Sequence, residues 1–394
     1  MYNFTYYAPT KVIFGKKTED QIADVIQSYG FHKVLVHFGS GSVKRSGLLD
    51  KVLSKLDAAG IKHVELGGVV PNPRLSLIRK GIEIARKEKV DLILAVGGGS
   101  VIDSAKGIGY GATNPGDVWD FYSKKRVAQA CLPIGVILTL AATGSEMSSS
   151  SVVTNEDGWL KMGTNSNLSR PVFAIMNPEL TMTLPDYQTA CGCTDIIMHT
   201  VERWFTQGDT MEITDAIAAS VIQTVMKMAR ILKDNPADYD ARAEVMWAGS
   251  LSHNDLTGCG ASSRGDWAVH GMEHEIGGLF DVAHGAGLAA IWGTWARYVM
   301  DSDLLRFVKY STNVLGLSRD CSDRELALKG IKVMEDFFHE IKMPISIPEL
   351  GIKPTDDQLV MMAHKCIEAG GGQKGAARIL HEPDVLAIYR EANR

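Results

Sequence analysis

The sequence predicts an α/β half followed by an all-helical half, and three observations carry that prediction. Short β-branched apolar runs alternate with helical stretches as far as residue 177, a glycine-rich turn joins one such run to a helix, and helical periodicity takes over from Asp186. At 394 residues the chain exceeds the usual size of a single core, so two domains, 1–184 and 185–394, are expected.

Each element follows from its pattern. The runs "KVLVHF" (33–38), "HVEL" (63–66), "DLILAVGG" (91–98) and "PIGVILT" (133–139) are short and mostly apolar, as strands buried on both faces must be. Between them, "RLSLIRKGIEIARKEK" places Leu75, Ile78, Ile82 and Ala85 at helical spacing with basic residues elsewhere. Strand–helix alternation of this kind implies a parallel sheet covered by helices on both faces. "SVVTN" and "VFAIMN" read as further strands. Pro178 and Pro185 bracket the change of character, and beyond it almost no alternating apolar–polar run appears.

The composition narrows the function classes. A net charge of −5 gives no electrostatic reason to expect nucleic acid or an anionic membrane as partner. No apolar run reaches the roughly 18–20 residues of a membrane span. "MYNFTYYAPTKVIFG" has neither the basic nor the apolar region of a secretory signal, so a cytoplasmic location is expected. Six cysteines make no disulfide framework at this length, and Cys191 and Cys193, though spaced C-x-C, read as core thiols.

Three polar loops follow predicted strands. In "DLILAVGGGSVIDSAK" a strand ends in Gly97-Gly98-Gly99-Ser100 and a helix begins at once. Free helix-terminal N–H groups beside glycines suit a pyrophosphate, and a tight turn with Ser100 as N-cap is the plainer reading. The spacing is not G-x-G-x-x-G. After the first of these strands, Gly39, Ser40, Gly41 and Ser42 supply no acid for ribose hydroxyls, while Lys44 and Arg45 follow; that combination suits a 2′-phosphate, hence NADP(H) over NAD(H). The third loop carries Thr139, Thr143, Ser145 and Ser148, which suit phosphate or ribose or simply cap the next element. Three such loops at the carboxyl ends of parallel strands make a stronger case together, because ligands of open α/β sheets bind there.

The second half holds metal-ligand chemistry. Asp195 and His199 lie four apart, with Glu202 three further on, so a helix would present all three on one face, apart from the apolar stripe Ile197, Val201, Trp204 and Phe205. His270, His274 and His284 follow. Asp195, His199, His270 and His284 together give one oxygen and three nitrogens, a set that suits Fe(II), Zn(II) or Mn(II) alike. "HGMEH" (270–274) also matches H-x-x-E-H, the zinc motif of inverzincin peptidases with Glu273 as base. That rival leaves Asp195, His199 and the three loops without a role, as does a purely non-catalytic nucleotide-binding module for the histidines. His32, His37, His63, His253, His364 and His381 have no partner at ligand spacing and read as structural or surface residues.

With "PNP" (71–73), "GGGSVIDSAK" (97–106), "TGSEM" (143–147), "DIIMHTVE" (195–202) and "HGMEHEIGGLFDVAHGAGLA" (270–289) in this order, the whole chain resembles the iron-containing (group III) alcohol dehydrogenase family. Through "GSGSVKRSG" it is most similar to the NADPH-dependent butanol dehydrogenase and broad-range aldehyde reductase branch. The resemblance implies a Rossmann-like dinucleotide-binding α/β domain, an all-α metal-binding domain, an active site in the cleft between them, and a homodimer. It implies metal ligands at Asp195, His199, His270 and His284, Fe(II) foremost, with His274 a non-ligating histidine near nicotinamide and substrate. It also implies cofactor contacts from Asn72, Gly98, Gly99, Ser100, Asp103, Thr139, Ser145 and, toward the ribose, Lys161. The reaction implied is reversible hydride transfer between NADP(H) and a small aldehyde or primary alcohol such as butyraldehyde or butanol. His274 would relay a proton or merely orient its neighbours, and Glu273 would be structural or surface. The serine-rich continuation "SSSSVVTNEDGWLKMG", "CGCTD" and the C-terminal "EAGGGQKGAARILHEPDVLAIY" depart from the branch.

Overall fold

Five of the apolar runs and one further strand, β1, assemble into one parallel sheet in the order β1-β8-β5-β4-β2-β3. The strands are β1 (Lys11–Phe14), β2 (Lys33–Gly39), β3 (Lys62–Val69), β4 (Leu92–Gly97), β5 (Ile134–Leu138) and β8 (Phe173–Met176); β6 (Ser150–Asn155) and β7 (Leu160–Asn165) form a separate antiparallel hairpin. Every residue of β4, β5 and β8 is buried, which explains their unbroken apolar composition. The computed structural model describes residues 1–206 and 211–394.

Helices α1 (Ile22–Ser28), α2 (Leu48–Ala58), α3 (Leu75–Glu88) and α4 (Gly99–Thr113) connect the strands. Leu75, Ile78, Ile82 and Ala85 form the buried stripe of α3, as their spacing predicts. β3 and β4 flank β2 on opposite sides, so the winding direction reverses between β2 and β4. Ligands of open α/β sheets bind at the carboxyl ends of strands at such a reversal. The two loops leaving β2 and β4, Gly39–Lys44 and Gly97–Ser100, stand at that point.

The second half contains α5 (Asp186–Trp204), α6 (Glu212–Asp234), α7 (Tyr239–His253), α8 (Ala268–Phe280), α9 (His284–Val299), α10 (Asp323–Glu340), α11 (Asp356–Ala369) and α12 (Glu382–Ala392). Capping boxes begin α10 (Ser322 with Glu325) and α11 (Thr355 with Gln358), satisfying amides that have no partner inside the helix. Trp204, Trp292, Trp295 and Phe307 are among the fully buried side chains of this half.

The chain divides into two compact units, Ala8–Thr183 and Met1–Tyr7 with Leu184–Arg394. The first seven residues thus go with the helical unit, where the Tyr2 amide donates to the Gly260 carbonyl at 2.9 Å. "SVVTN" is a strand as expected, but it pairs with β7 outside the main sheet. β1 was not expected as a strand: its four residues are exposed at the ends and half-buried between, too little pattern to read, and only its register with β8 defines it.

Candidate functional site

In the α/β unit the glycine turn is shaped by its neighbours. Gly98, extended, takes the N-cap place that the sequence assigned to Ser100, and Ser100 lies inside the first turn of α4. A Cβ on Gly99 would fall 2.4 Å from Thr143 Oγ1, so glycine is required here for the third loop to lie against the turn. The Thr139 amide donates to the Gly97 carbonyl at 3.1 Å and the Ser145 amide to Thr143 Oγ1 at 3.2 Å. Two of the three loops are therefore one stitched surface.

That surface is locked from behind by Asp103 and Lys106 on α4. Ser145 Oγ donates to Asp103 Oδ1 at 2.6 Å, and the Val152 amide donates to Asp103 Oδ2 at 3.0 Å. The fully buried Lys106 ammonium donates to the carbonyls of Ser145, Ser148 and Ser150 at 2.8, 2.9 and 2.7 Å and to Ser145 Oγ at 2.9 Å. Burial pushes the lysine down to about 8 against the pull of Asp103 and Glu146. Sequence reasoning gave Lys106 no role, although its place one turn after Asp103 was the signal. Lys44 Nζ lies 5.1 Å from the centre of the Phe38 ring beside the first loop. Asn72 is left-handed (φ 55°) and buried; Thr154, whose amide donates to the Pro73 carbonyl at 2.9 Å, is the cross-strand partner of buried Lys161.

In the helical unit α5, α8 and α9 bring four donors together. Asp195 and His199 are one turn apart on α5, and both are buried. Asp195 Oδ1 lies 3.4 Å from His199 Nδ1, 3.7 Å from His270 Nε2 and 3.5 Å from His284 Nε2. Ligands about 2.1 Å from a common ion at tetrahedral angles stand about 3.4 Å apart. Asp195 Oδ1, His199 Nδ1 and His270 Nε2 are buried without a hydrogen-bond partner, an arrangement that is costly unless a cation satisfies them. The donor set therefore fits a divalent metal. Burial, then the neighbouring His253 and His270, hold His199 well below the usual imidazole range, so it offers a lone pair. Burial also pulls His270 down, but Asp195 and Glu202 outweigh it and lift that ring to about 9.

The surroundings are aromatic and acidic. Trp267 sits edge-on to His270 with centroids 5.2 Å apart, and Arg203 lies 4.7 Å from the Trp267 ring centre. His253, read from sequence as a structural or surface residue, brings its ring to 4.0 Å from that of His199; the fold of α7 onto α5 does this, and spacing along the chain carries no trace of it. His274 is one turn beyond His270 on α8, half-buried, its ring centre 6.0 Å from that of His284. Glu273 is fully buried and bonded to His284 Nδ1, so it is a structural carboxylate and not a surface one. The H-x-x-E-H reading needs an accessible glutamate beside two ligating histidines, and this geometry does not support it.

The family profile described as "Iron-containing alcohol dehydrogenase" matches residues 9–178, and its C-terminal counterpart matches residues 189–393. The chain belongs to the iron-containing alcohol dehydrogenase family. It is 39% identical over 393 residues to NADH-dependent butanol dehydrogenase A of Clostridium acetobutylicum, covering 100% of both chains. It is 32% identical to the NADPH-dependent aldehyde reductase YqhD of Escherichia coli, over 89% of this chain and 90% of that one. The crystal structure of NADH-dependent butanol dehydrogenase A from Thermotoga maritima has a TM-score of 0.96 at 36% identity, covering 100% of this chain and 99% of that one. The iron-containing alcohol dehydrogenase fold accounts for both halves, the Rossmann-like sheet and the helical unit. Among the described residues no helix is long and apolar enough to cross a membrane.

Proposed function

We propose that this chain is a metal-dependent alcohol dehydrogenase acting as an aldehyde reductase, transferring hydride reversibly between nicotinamide C4 of NADP(H) and the carbonyl carbon of a small aldehyde. The observation that carries the reading is the convergence of His199, His270 and His284 on Asp195 Oδ1, with buried donors that have no other partner. A divalent ion held by these four residues, Fe(II) by the family's character, supplies a Lewis acid for the substrate oxygen.

The chain's own residues do the rest. Gly98, Gly99, Ser100, Thr139, Thr143 and Ser145 form the pyrophosphate-facing surface, whose shape Asp103 fixes through Ser145. Asn72 and Lys161 serve the ribose side. Gly39, Ser40, Ser42 and Lys44 present hydroxyls, turn amides and a cation but no acid, which supports NADP(H) although the Clostridium relative is named for NADH. His274 exchanges the alcohol proton with solvent, a task imidazole side chains perform in proton relays. Trp267 packs edge-on against His270 beside the ligand cluster. A second copy of the chain, as a homodimer, completes the proposal.

Initial rates with butyraldehyde on protein loaded separately with Fe(II) and Zn(II) test this. NADPH is expected to outperform NADH, and Asp195→Ala to abolish turnover. Full activity in Asp195→Ala would remove the metal assignment, and a strong NADH preference would remove the reading of the Gly39–Lys44 loop.

A further inference from the structure

Two glutamates stand behind the ligand histidines, and neither has a task in the proposed chemistry. Glu202 and Glu273 are both fully buried. A buried carboxylate is costly unless charge and hydrogen bonds compensate it, so each must be held there by a specific partner. Glu202 reaches from α5 to the start of α8, where its Oε1 accepts the His270 amide at 3.0 Å and lies 3.3 Å from His270 Nδ1. Glu273, on α8, bonds His284 Nδ1 at the start of α9. In both rings it is Nδ1 that faces a carboxylate and Nε2 that faces Asp195.

We propose that Glu202 and Glu273 are positioning residues that fix the tautomer and the ring orientation of His270 and His284 for metal binding. A carboxylate facing Nδ1, bonded to it in His284 and 3.3 Å from it in His270, favours the proton on that nitrogen and leaves the lone pair on Nε2, the nitrogen turned toward Asp195; the negative charge behind the ring also strengthens that donor. The packing is built to admit Glu273: a Cβ on Gly287 of α9 would fall 2.8 Å from Glu273 Cγ, so this glycine leaves the room the glutamate occupies. The pattern H-x-x-E-H thus contains one ligand, His270, and the carboxylate that orients another, His284.

The inference rests on the metal reading above, and its test separates the two. Chelator-stripped protein is titrated with Co(II), recording both the dissociation constant and the visible d–d absorption. The wild type is expected to take up Co(II) at the four-ligand site. Glu202→Gln and Glu273→Gln, close in shape but uncharged, are expected to bind 10–100-fold more weakly with an altered d–d band, while their metal-free circular dichroism matches the wild type. Gly287→Ala displaces Glu273 without removing its charge and is expected to weaken binding in the same sense, so it carries the test should a glutamine variant not fold. Wild-type affinity and an unchanged band in the variants would overturn the positioning role alone. A wild type that binds no Co(II) would overturn the metal reading and this inference with it.

Discussion

His37 shows how much a single buried side chain commits to one protonation state. It is fully buried in β2, donating from Nδ1 to the Leu66 carbonyl at 2.7 Å and accepting at Nε2 from Ser104 Oγ at 2.8 Å, which makes the neutral ring the one that fits. Burial pushes it down to about 4, with the Leu66 bond opposing only part of that. Above the unfolded value of about 6.5 neither state is charged, and the neutral ring's contribution is whole. As pH falls from 6.5 to 4 the unfolded chain takes up a proton that the folded one refuses, so stability drops by about 3 kcal/mol and then levels off. Denaturant midpoints at pH 7 and pH 4.5 are expected to fall less in His37→Asn than in the wild type; equal falls would show that His37 is not the group responsible. At this same scale the sequence was explicit about Asp195 and His199, because four-residue spacing on a helix is a statement about one face. It did not reveal the partners of Lys106 and His253, which come from distant segments.

At the scale of elements, the ligand cluster depends on how closely α9 approaches α5. A Cβ on Gly285 would lie 2.1 Å from the Cys191 carbonyl oxygen and 2.7 Å from its carbon, a contact with backbone that no rotamer can relieve. Gly285→Ala is therefore expected to lift the first turn of α9, which carries His284, away from Asp195. Overpacking of this kind destabilises by about 1–3 kcal/mol, and here metal affinity should fall with it. Thermal unfolding and bound metal per chain measure both; a variant unchanged in both would show that the two helices need not touch there. Buried parallel strands were legible because continuous apolar runs of that length have few other uses. β1 was not, since a short edge strand takes its form from the strand it pairs with.

For the whole molecule, the four proposed metal ligands come from three helices of the helical unit and none from the sheet. Binding to the native state stabilises it by RT ln(1 + [L]/Kd), about 4 kcal/mol at a thousandfold excess over Kd. Stripping the metal is expected to lower the unfolding temperature of Met1–Tyr7 with Leu184–Arg394 more than that of Ala8–Thr183. Calorimetry with and without chelator checks this; an unmoved profile would mean the four residues hold no ion in solution.

The sequence by itself determined the order of elements, the change from strands to helices near Pro185, the glycine turn, and a pool of ligand candidates, because each is written in local composition and periodicity. Only the tertiary structure decided which of those candidates converge. It turned Glu273 from a possible base into the partner of His284, set Glu202 behind His270, brought His253 against His199, and made Asp103 and Lys106 the lock behind the glycine turn and the serine-rich loop. Those assignments depend on distances between segments far apart in the chain, and helix packing and sheet order set such distances while local spacing does not.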